Sequence, residues 1–199
     1  INSTFYTFPT ARVLKNWYNK SPENFLFSVK APQEITHQKR FVDCAEEVRQ
    51  LYDVCQNGMG GKLACILFQM PPSYSYSEER LQTIISSHDK SFKNVIEFRH
   101  ISWWRPDVFD ILEQNQITFC SVSYPNLPSD VIPTGSLLYY RLHGDEKLFY
   151  SGYSHAAIEQ LYTALTSNSD ANEIFVYFNN TASIAGVLNA LEMNLMTGQ

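Results

Sequence analysis

Short apolar runs alternate along the chain with longer segments of helical spacing. Such alternation predicts an α/β fold with a parallel sheet. The apolar runs, at 25–30, 63–70, 94–100, 117–124, 137–143 and 173–180, are the predicted strands, and 1–6 resembles the end of another. The predicted helices lie at 10–19, 40–56, 77–90, 105–114, 155–167 and 183–195. The segment 124–135 contains three prolines and is predicted to be a long loop or a single turn in place of a helix.

The predicted strands end in polar residues, although most are apolar on both faces, as in Cys65-Ile66-Leu67-Phe68. In a parallel α/β sheet the carboxyl ends of the strands form one rim, and ligands bind there. We therefore interpret these polar ends as a candidate site. Ordinary termination of strands at the surface is the alternative.

Composition limits the classes of function. The 199 residues are 44% apolar and 18% charged, which is typical of a globular protein, and the net charge is −5. A negative chain argues against a general electrostatic grip on nucleic acid or anionic membrane. No apolar stretch is long enough for a membrane span. The four cysteines form no CxxC pair, and we interpret them as reduced core thiols of a cytoplasmic protein.

The most informative segment runs from Glu97 to Trp103. Glu97 and Arg99 lie two residues apart, so on a strand they share one face, and the guanidinium could bind a carboxylate or phosphate. A merely structural ion pair is the alternative. His100 could act in proton transfer, as histidine often does, but it has the opposite parity to Glu97. Trp103 and the following Trp104 could stack on a ligand or simply pack the loop.

A second cationic group is predicted at the end of strand 137–143. Arg141 and His143 share a face there, and the following Gly144 allows a tight departure of the chain or close approach to a ligand. With Lys30 from another strand and His37 from the loop after it, these residues would make the rim positive. An anionic small molecule is the expected ligand.

Uncharged polar residues complete the predicted site. Asn179 and Asn180 end the last strand, where one of Asn180 and Thr181 is expected to cap the following helix. Gln69 precedes two prolines that stop its strand. Asn2, Thr4 and Tyr6 are the corresponding residues at the start of the chain.

Standard signature motifs are absent from the sequence. It contains no GxGxxG, GxxxxGK[ST], GxSxG or HExxH. A metal site of His37, Glu97 and His143 is conceivable, but no spacing requires it, and we predict no metal. The sequence indicates neither a cofactor nor an oligomeric state.

Six segments together resemble a known family, the domain-of-unknown-function 72 (YecE-like) proteins of bacteria and archaea. They are Ile-Asn-Ser-Thr-Phe-Tyr at 1–6, Phe-Ser-Val-Lys-Ala-Pro at 27–32 with Ile-Thr-His at 35–37, Leu-Phe-Gln-Met-Pro-Pro at 67–72, Glu-Phe-Arg-His at 97–100 with Ser-Trp at 102–103, Tyr-Arg-Leu-His-Gly at 140–144 and Tyr-Phe-Asn-Asn-Thr at 177–181. The resemblance implies a single TIM-barrel-like (β/α) domain over 1–199 with these motifs around one mouth. It implies no reaction.

The resemblance also carries an expectation about the N-terminus. Relatives have a first strand with a Gly-rich, aromatic motif before the segment that resembles 2–6. A complete (β/α)₈ barrel has about 250 residues. We therefore expect the barrel to lack its first strand and helix here.

Two hypotheses for function follow. The first is an enzyme that acts on a small phosphate- or carboxylate-bearing substrate. Glu97 and His143 are the predicted acid/base residues, and the predicted substrate-binding residues are Asn2, Thr4, Tyr6, Lys30, His37, Gln69, Arg99, His100, Trp103, Arg141, Asn179 and Asn180. The second is a non-catalytic module that binds an anionic metabolite or a nucleic-acid end.

Overall fold

The computed structural model describes residues 1–198, which form two compact units. One unit contains residues 1–103 and 114–117, and the other contains residues 104–113 and the chain from 118 onward. We call them unit 1 and unit 2.

Unit 1 is built from three parallel strands and three helices. In chain order these are α1 (Ala11–Lys20), β1 (Phe27–Lys30), α2 (Ala45–Met59), β2 (Leu63–Gln69), α3 (Glu78–Ser87) and β3 (Asn94–Glu97). β2 pairs with both β1 and β3, so that Lys30 lies opposite Leu67, and Gln69 lies opposite Glu97. The carboxyl ends of all three strands therefore reach the same edge of this sheet.

Helix caps and close packing explain how the unit 1 helices form. The Thr10 hydroxyl accepts a hydrogen bond from the Val13 N–H at the start of α1, and Ser77 caps α3 in the same way. α1 and α2 approach closely at Gly58, where an added Cβ would lie 2.5 Å from the Cβ of Leu14. Leu14 is fully buried in this contact.

Unit 2 also contains three parallel strands and three helices. They are α4 (Pro106–Gln114), β4 (Ile117–Ser123), β5 (Leu137–Leu142), α5 (His155–Thr166), β6 (Glu173–Phe178) and α6 (Ala185–Thr197), with residues 114–117 belonging to unit 1. β5 lies between β4 and β6. Every residue of β5 is buried, and its core partners are Ile158 and Leu165 of α5 and Met193 of α6.

The parallel α/β prediction is confirmed, and all six predicted strands and six predicted helices are present with shifted ends. Closure into one barrel domain and the missing first strand stay predictions. The segment 124–135 contains neither a helix nor a strand, as predicted.

Three predicted element bounds are wrong for identifiable reasons. Residues 1–6 do not continue as a strand, because the chain turns into a 3₁₀ helix at Ser3–Phe5 once the carbonyl of Ile1 has accepted the Lys30 N–H. β3 ends at Glu97, whose carbonyl accepts the Met70 N–H, because the next residue on that side of the ladder is Pro72, which has no N–H. α2 begins at Ala45, since positive φ angles at residues 40, 41 and 43 are incompatible with a right-handed helix.

All four cysteines are buried free thiols, in agreement with the prediction of reduced core residues. Burial raises the pKa of Cys55 to about 12, so this thiol stays protonated near neutral pH. Within residues 1–198, no helix combines the length and apolar character that crossing a bilayer requires.

His88 is a buried histidine that makes the fold sensitive to acid. Its Nδ1 lies 2.6 Å from the Ile84 carbonyl, whereas its Nε2 is buried without a hydrogen-bond partner. Its ring packs against Phe41 and Phe68, with centroid separations of 5.2 and 4.6 Å. Burial lowers the pKa of His88 from 6.5 to about 4, because a second proton would place an unpaired charge among these aromatic rings.

We expect His88→Phe to remove part of the acid sensitivity of the protein. Between its unfolded pKa of 6.5 and its folded pKa of about 4, His88 is protonated in the unfolded chain but neutral in the folded one. Stability is therefore lost as the pH falls through this window. We expect His88 to lower the free energy of unfolding by about 2 kcal/mol between pH 7 and pH 5.

Urea unfolding of the wild type and of His88→Phe at both pH values measures this contribution. His155→Phe is the control, because His155 is exposed and Glu192 raises its pKa. The wild type and the control should lose more stability than His88→Phe at pH 5. Equal losses in all three proteins would contradict the assignment.

Candidate functional site

Five residues of unit 1 meet near the carboxyl ends of β1 and β3, and we call them the rim cluster. Lys30 and Glu97 are the last residues of their strands, which both pair with β2. Arg99 follows β3 by two residues. The chain before β1 contributes Phe5, and the helical turn Glu34–Lys39 contributes His37.

Glu97 and Arg99 form the buried ion pair of the rim cluster. The Nε of Arg99 donates to a carboxylate oxygen of Glu97. The side chain of Glu97 is 0% exposed and that of Arg99 is 6% exposed. A charge-assisted bond in such a dry environment holds the guanidinium in one orientation. The predicted pairing of these two side chains is therefore present.

Lys30 is held in place through both its side chain and its backbone. Its residue is 9% exposed, and its Nζ lies 3.9 Å from the centre of the Phe5 ring, a cation–π contact. The hydroxyl of Thr4 donates to the Lys30 carbonyl at 2.6 Å. Thr4 is itself buried, so in this structure it positions the strand that carries Lys30.

His37 is half-buried beside these cations. Its Nδ1 lies 2.9 Å from the Thr36 hydroxyl, and the Phe5 ring meets it edge-on at 4.9 Å. Burial, followed by the charges of Lys30, Arg40 and Arg99, lowers the pKa of His37 from 6.5 to about 4, against the opposing charge of Glu97. The imidazole is therefore neutral at pH 7 and able to accept a proton.

In unit 2 a second group of predicted residues lies at the carboxyl ends of β5 and β6. Arg141 is 6% exposed and His143 is 0% exposed. The side-chain amide of Asn179 donates to Nδ1 of His143 at 3.0 Å. Asn179 therefore fixes its neighbour's ring, one of the two roles that the sequence left open. The edge-on rings of Tyr124 and Phe149 also flank the imidazole.

Gly144 takes the chain sharply away from β5. Its φ is +108°, and an added Cβ would lie 2.5 Å from the Lys147 carbonyl oxygen. Of the two roles predicted for this glycine, tight departure of the chain accounts for its conformation.

Three other predicted residues of unit 1 have partners within the protein. The side chain of Gln69 donates to the Met70 carbonyl at 2.9 Å, and Nδ1 of His100 lies 2.8 Å from the Ser102 hydroxyl. Trp103 is fully buried, its ring stacks on Phe98 at 3.9 Å, and its N–H donates to the Tyr74 carbonyl. Trp103 therefore offers no exposed face for stacking, and its packing role is the one observed.

The remaining predicted residues differ in burial. Asn2 is exposed and Tyr6 is 70% exposed. Asn180 is fully buried and donates to the Ser151 carbonyl at 3.0 Å, which ties down the segment after Gly144. Neither Asn180 nor Thr181 caps α6, so that expectation is wrong: the helix starts later, at Ala185, after Ile184.

Sequence reasoning did not single out Phe5 or Arg40. Phe5 contacts both Lys30 and His37, and Arg40 adds to the positive field at His37. The position of Arg40 three residues after His37 was the available signal. Within residues 1–198, no group of three or more His, Cys, Asp or Glu side chains is arranged to hold a metal ion.

The model of one protein family, described as protein of unknown function DUF72, matches residues 1–199. The chain belongs to the DUF72 family. This agrees with the resemblance carried by the six sequence segments.

Relatives of this DUF72 protein include both sequences and solved structures. The UPF0759 protein YunF of Bacillus subtilis is 30% identical over 117 residues, which are 55% of this chain and 42% of YunF. The match thus spans less than half of that relative. A crystal structure of a DUF72 family protein from Enterococcus faecalis has a TM-score of 0.89 at 23% identity, covering 100% of this chain and 83% of that one. A crystal structure of a DUF72 family protein from Thermotoga maritima has a TM-score of 0.87 at 26% identity, covering 98% of this chain and 82% of that one.

Proposed function

We propose that this DUF72 protein is an enzyme that binds a small carboxylate- or phosphate-bearing substrate at the rim cluster and acts on it by acid/base chemistry. The observation that carries the proposal is that Lys30 and His37 contact the same Phe5 ring, while the charges of Lys30 and of the buried Arg99–Glu97 pair all act on His37. The proposal rests on unit 1 alone.

The charge of the rim cluster favours an anion. Lys30 and Arg99 are cations, Glu97 is an anion and His37 is neutral at pH 7, so the net charge is +1 although the whole chain carries −5. Cations in a partly desolvated site interact more strongly with a ligand than they would in water. A carboxylate or phosphate would be attracted to this site.

His37 is the proposed proton acceptor of the rim cluster. The same cations that attract an anion depress its pKa, so a bound anion would raise that pKa towards neutrality. Its basicity would then approach the range at which proton transfer is efficient at neutral pH. Binding of the anionic substrate would thus raise the pKa of His37 and make this residue a better general base.

The roles predicted for Glu97 and His143 are refined in this proposal. Glu97 is fully enclosed and bonded to Arg99, so its proposed role is to hold the guanidinium and balance its charge. His143 belongs to unit 2, where it contacts the amide of Asn179, and its acid/base role stays a separate prediction outside the rim cluster.

The finer predictions about fold and location are part of the proposal. We propose a TIM-barrel-like fold for the chain, which the likeness to the solved DUF72 structures supports. The four buried free thiols support a cytoplasmic protein, where the reducing environment preserves them.

We expect an added anion to raise the pKa of His37. The pKa should lie near 4 in the free protein and increase on addition of a phosphate or carboxylate ligand that binds the rim cluster. NMR titration of the histidine ring protons measures this directly. His88 is the internal control, because burial alone, without neighbouring cations, lowers its pKa to about 4.

Lys30→Met tests the geometry of the proposed site. Loss of the cation should raise the pKa of His37 in the free protein and reduce its response to the anion. Lys15→Met is the matched control, since Lys15 makes the same type of contact, 4.0 Å from the Tyr18 ring centre, at an exposed position. An equal response to anion in all three proteins would refute the site.

The same ligands separate an enzyme from a binding module. Thermal-shift screening of phosphorylated and carboxylated metabolites identifies those that stabilise the protein in a Lys30-dependent manner. NMR spectra of each such metabolite, incubated with the protein, then report turnover. Binding without turnover would favour the non-catalytic module, which is the second hypothesis.

A further inference from the structure

A small cationic cavity of unit 1 lies beside the start of α3 and is separate from the residues of the rim cluster. Its volume is about 210 Å³. Three of its lining residues are cations, Lys39, Arg40 and Arg80, and one is a carboxylate, Glu79. Tyr74, Val42 and Thr83 complete the lining. We call this cavity the arginine pocket.

The two arginines of this pocket are held by neutral oxygen atoms. Nη2 of Arg40 donates to the Ser73 hydroxyl at 3.2 Å. Nη1 of Arg80 donates to the carbonyl and the hydroxyl of Ser75 at 2.7 and 2.9 Å. Neither arginine is paired with a carboxylate within residues 1–198. Both guanidinium groups are thus oriented without being neutralised.

Lys39 differs from the arginines because it already has anionic partners. Its Nζ donates to the carboxylate of Glu47 and lies 4.0 Å from that of Glu34. The lysine therefore contributes little net charge to the pocket. The unneutralised positive charge belongs to Arg40 and Arg80.

The backbone that carries Arg40 has an unusual conformation. Arg40, Phe41 and Asp43 have φ angles of +52°, +65° and +47°. For residues other than glycine a left-handed backbone is strained, and it persists only where the surrounding structure enforces it. The buried Phe41 side chain, packed against Phe68 and His88, anchors this segment. Core packing therefore sustains a strained turn that directs Arg40 to the pocket.

An aromatic ring forms a rigid wall of the pocket. Tyr74 is 2% exposed and stacks on Trp103, with ring centres 5.7 Å apart and planes 7° from parallel. The Arg80 guanidinium lies over the Tyr74 ring, with its Cζ 4.8 Å from the ring centre. This contact fixes the plane of the guanidinium as well as its position.

We propose that the arginine pocket is a second anion site, which binds the phosphate group of a small phosphate-bearing molecule. Guanidinium groups match phosphate oxygens in geometry and can donate two hydrogen bonds at once. The cavity is smaller than the roughly 300–1,000 Å³ typical of sites for drug-sized ligands, so it suits a compact oxyanion. This inference goes beyond the proposed function and does not depend on it.

Substitution of Glu79 should change the affinity for phosphate in the opposite direction from substitution of the two arginines. Its carboxylate lines the pocket and would repel a bound phosphate. Glu79→Gln should therefore tighten phosphate binding, whereas Arg80→Gln and Arg40→Gln should weaken it. Loss of affinity caused by general damage to the fold would not produce opposite effects at adjacent residues.

The test is calorimetric titration with inorganic phosphate at constant ionic strength, with chloride as the balancing ion. Measurements in the Lys30→Met background isolate the arginine pocket from the rim cluster. We expect phosphate binding to persist there, to weaken about tenfold or more with Arg80→Gln, and to strengthen with Glu79→Gln. Arg49→Gln is the control, because Arg49 is exposed on α2 and paired with Glu46 and Asp53.

Each failure has a distinct meaning. Undetectable phosphate binding in the Lys30→Met background, or binding unchanged by Arg80→Gln and Arg40→Gln, would overturn the arginine pocket and leave the rim cluster as proposed. Phosphate binding that persists in the Lys30→Met background, together with a His37 pKa that this substitution leaves unchanged, would support the arginine pocket and count against the proposed function. Arg80 is suited to this separation because its charge is not among those that shift the pKa of His37.

Discussion

Glu97→Gln should lower the free energy of unfolding by about 3–5 kcal/mol, the usual cost of removing one partner from a buried ion pair. The substitution preserves shape but leaves the Arg99 guanidinium, whose side chain is 6% exposed, without the carboxylate it contacts. Urea unfolding at pH 7 measures the loss. The pKa of His37 should fall further in this variant, because Glu97 is the neighbouring charge that raises it.

Two comparisons make the Glu97 result specific. Glu46→Gln removes an equivalent carboxylate from Arg49, but the side chains of Glu46 and Arg49 are 72% and 65% exposed, so the loss of stability should be much smaller than for Glu97→Gln. Glu97→Gln combined with Arg99→Met should lose less than the two single losses added together, because the second change removes the stranded charge. Equal losses from Glu97→Gln and Glu46→Gln would contradict a buried, stabilised pair.

Gly144→Ala should destabilise the protein by about 3 kcal/mol or more, since strain at an unfavourable φ and overpacking against backbone each cost about 1–3 kcal/mol. The φ of Gly144 is +108°, and the new methyl group would lie 2.5 Å from the Lys147 carbonyl oxygen. A backbone atom cannot move aside as a flexible side chain can. Thermal or urea unfolding measures the loss.

Gly135→Ala separates the two causes. Gly135 has a φ of +130°, but apart from its two neighbours in the chain no atom of residues 1–198 lies within 4 Å of an added Cβ, so only the backbone strain applies. Its cost should be about 1–3 kcal/mol and smaller than that of Gly144→Ala. Equal costs at the two glycines would mean that the contact with Lys147 gives way on substitution.

Gly144→Ala should also disturb the imidazole of His143. The segment that begins at Gly144 carries Phe149, whose ring meets the His143 ring edge-on at 5.9 Å. A shift of this segment would alter the surroundings of that ring while the Asn179 bond remains. Histidine ring resonances of the variant would report the change.

The two anion sites proposed for unit 1 differ in how they were recognised. Lys30 and Arg99 end or follow apolar runs, and the rules for parallel sheets bring such residues to one edge without knowledge of the side-chain contacts. Arg40 and Arg80 are 40 residues apart in the sequence and belong to no motif. Arg40 and Arg80 line the same cavity because the chain turns at Arg40 and because Tyr74, which contacts Arg80, is packed against Trp103. Both are properties of the folded chain.

Errors in the predicted element ends have one common cause. Periodicity describes the average environment of a segment, but a strand or helix ends where its hydrogen-bond ladder ends. After Met70, the next residue that would donate to β3 is Pro72, which has no N–H, so the pairing of β2 with β3 ends and Arg99 lies outside the strand. The positive φ angles at Arg40 and Phe41 exclude them from α2, although their spacing fits that helix.

The sequence by itself determined the parallel α/β class, the order of strands and helices, and the positions of the polar residues that follow the strands. It could do so because burial on both faces and helical periodicity are local patterns of apolar residues. Only the tertiary structure decided the surroundings of these polar residues: it enclosed Glu97 with Arg99, buried Trp103 and Asn180, and placed His37 among cations. Those outcomes depend on desolvation and on charges brought together from distant segments, and no local pattern records either.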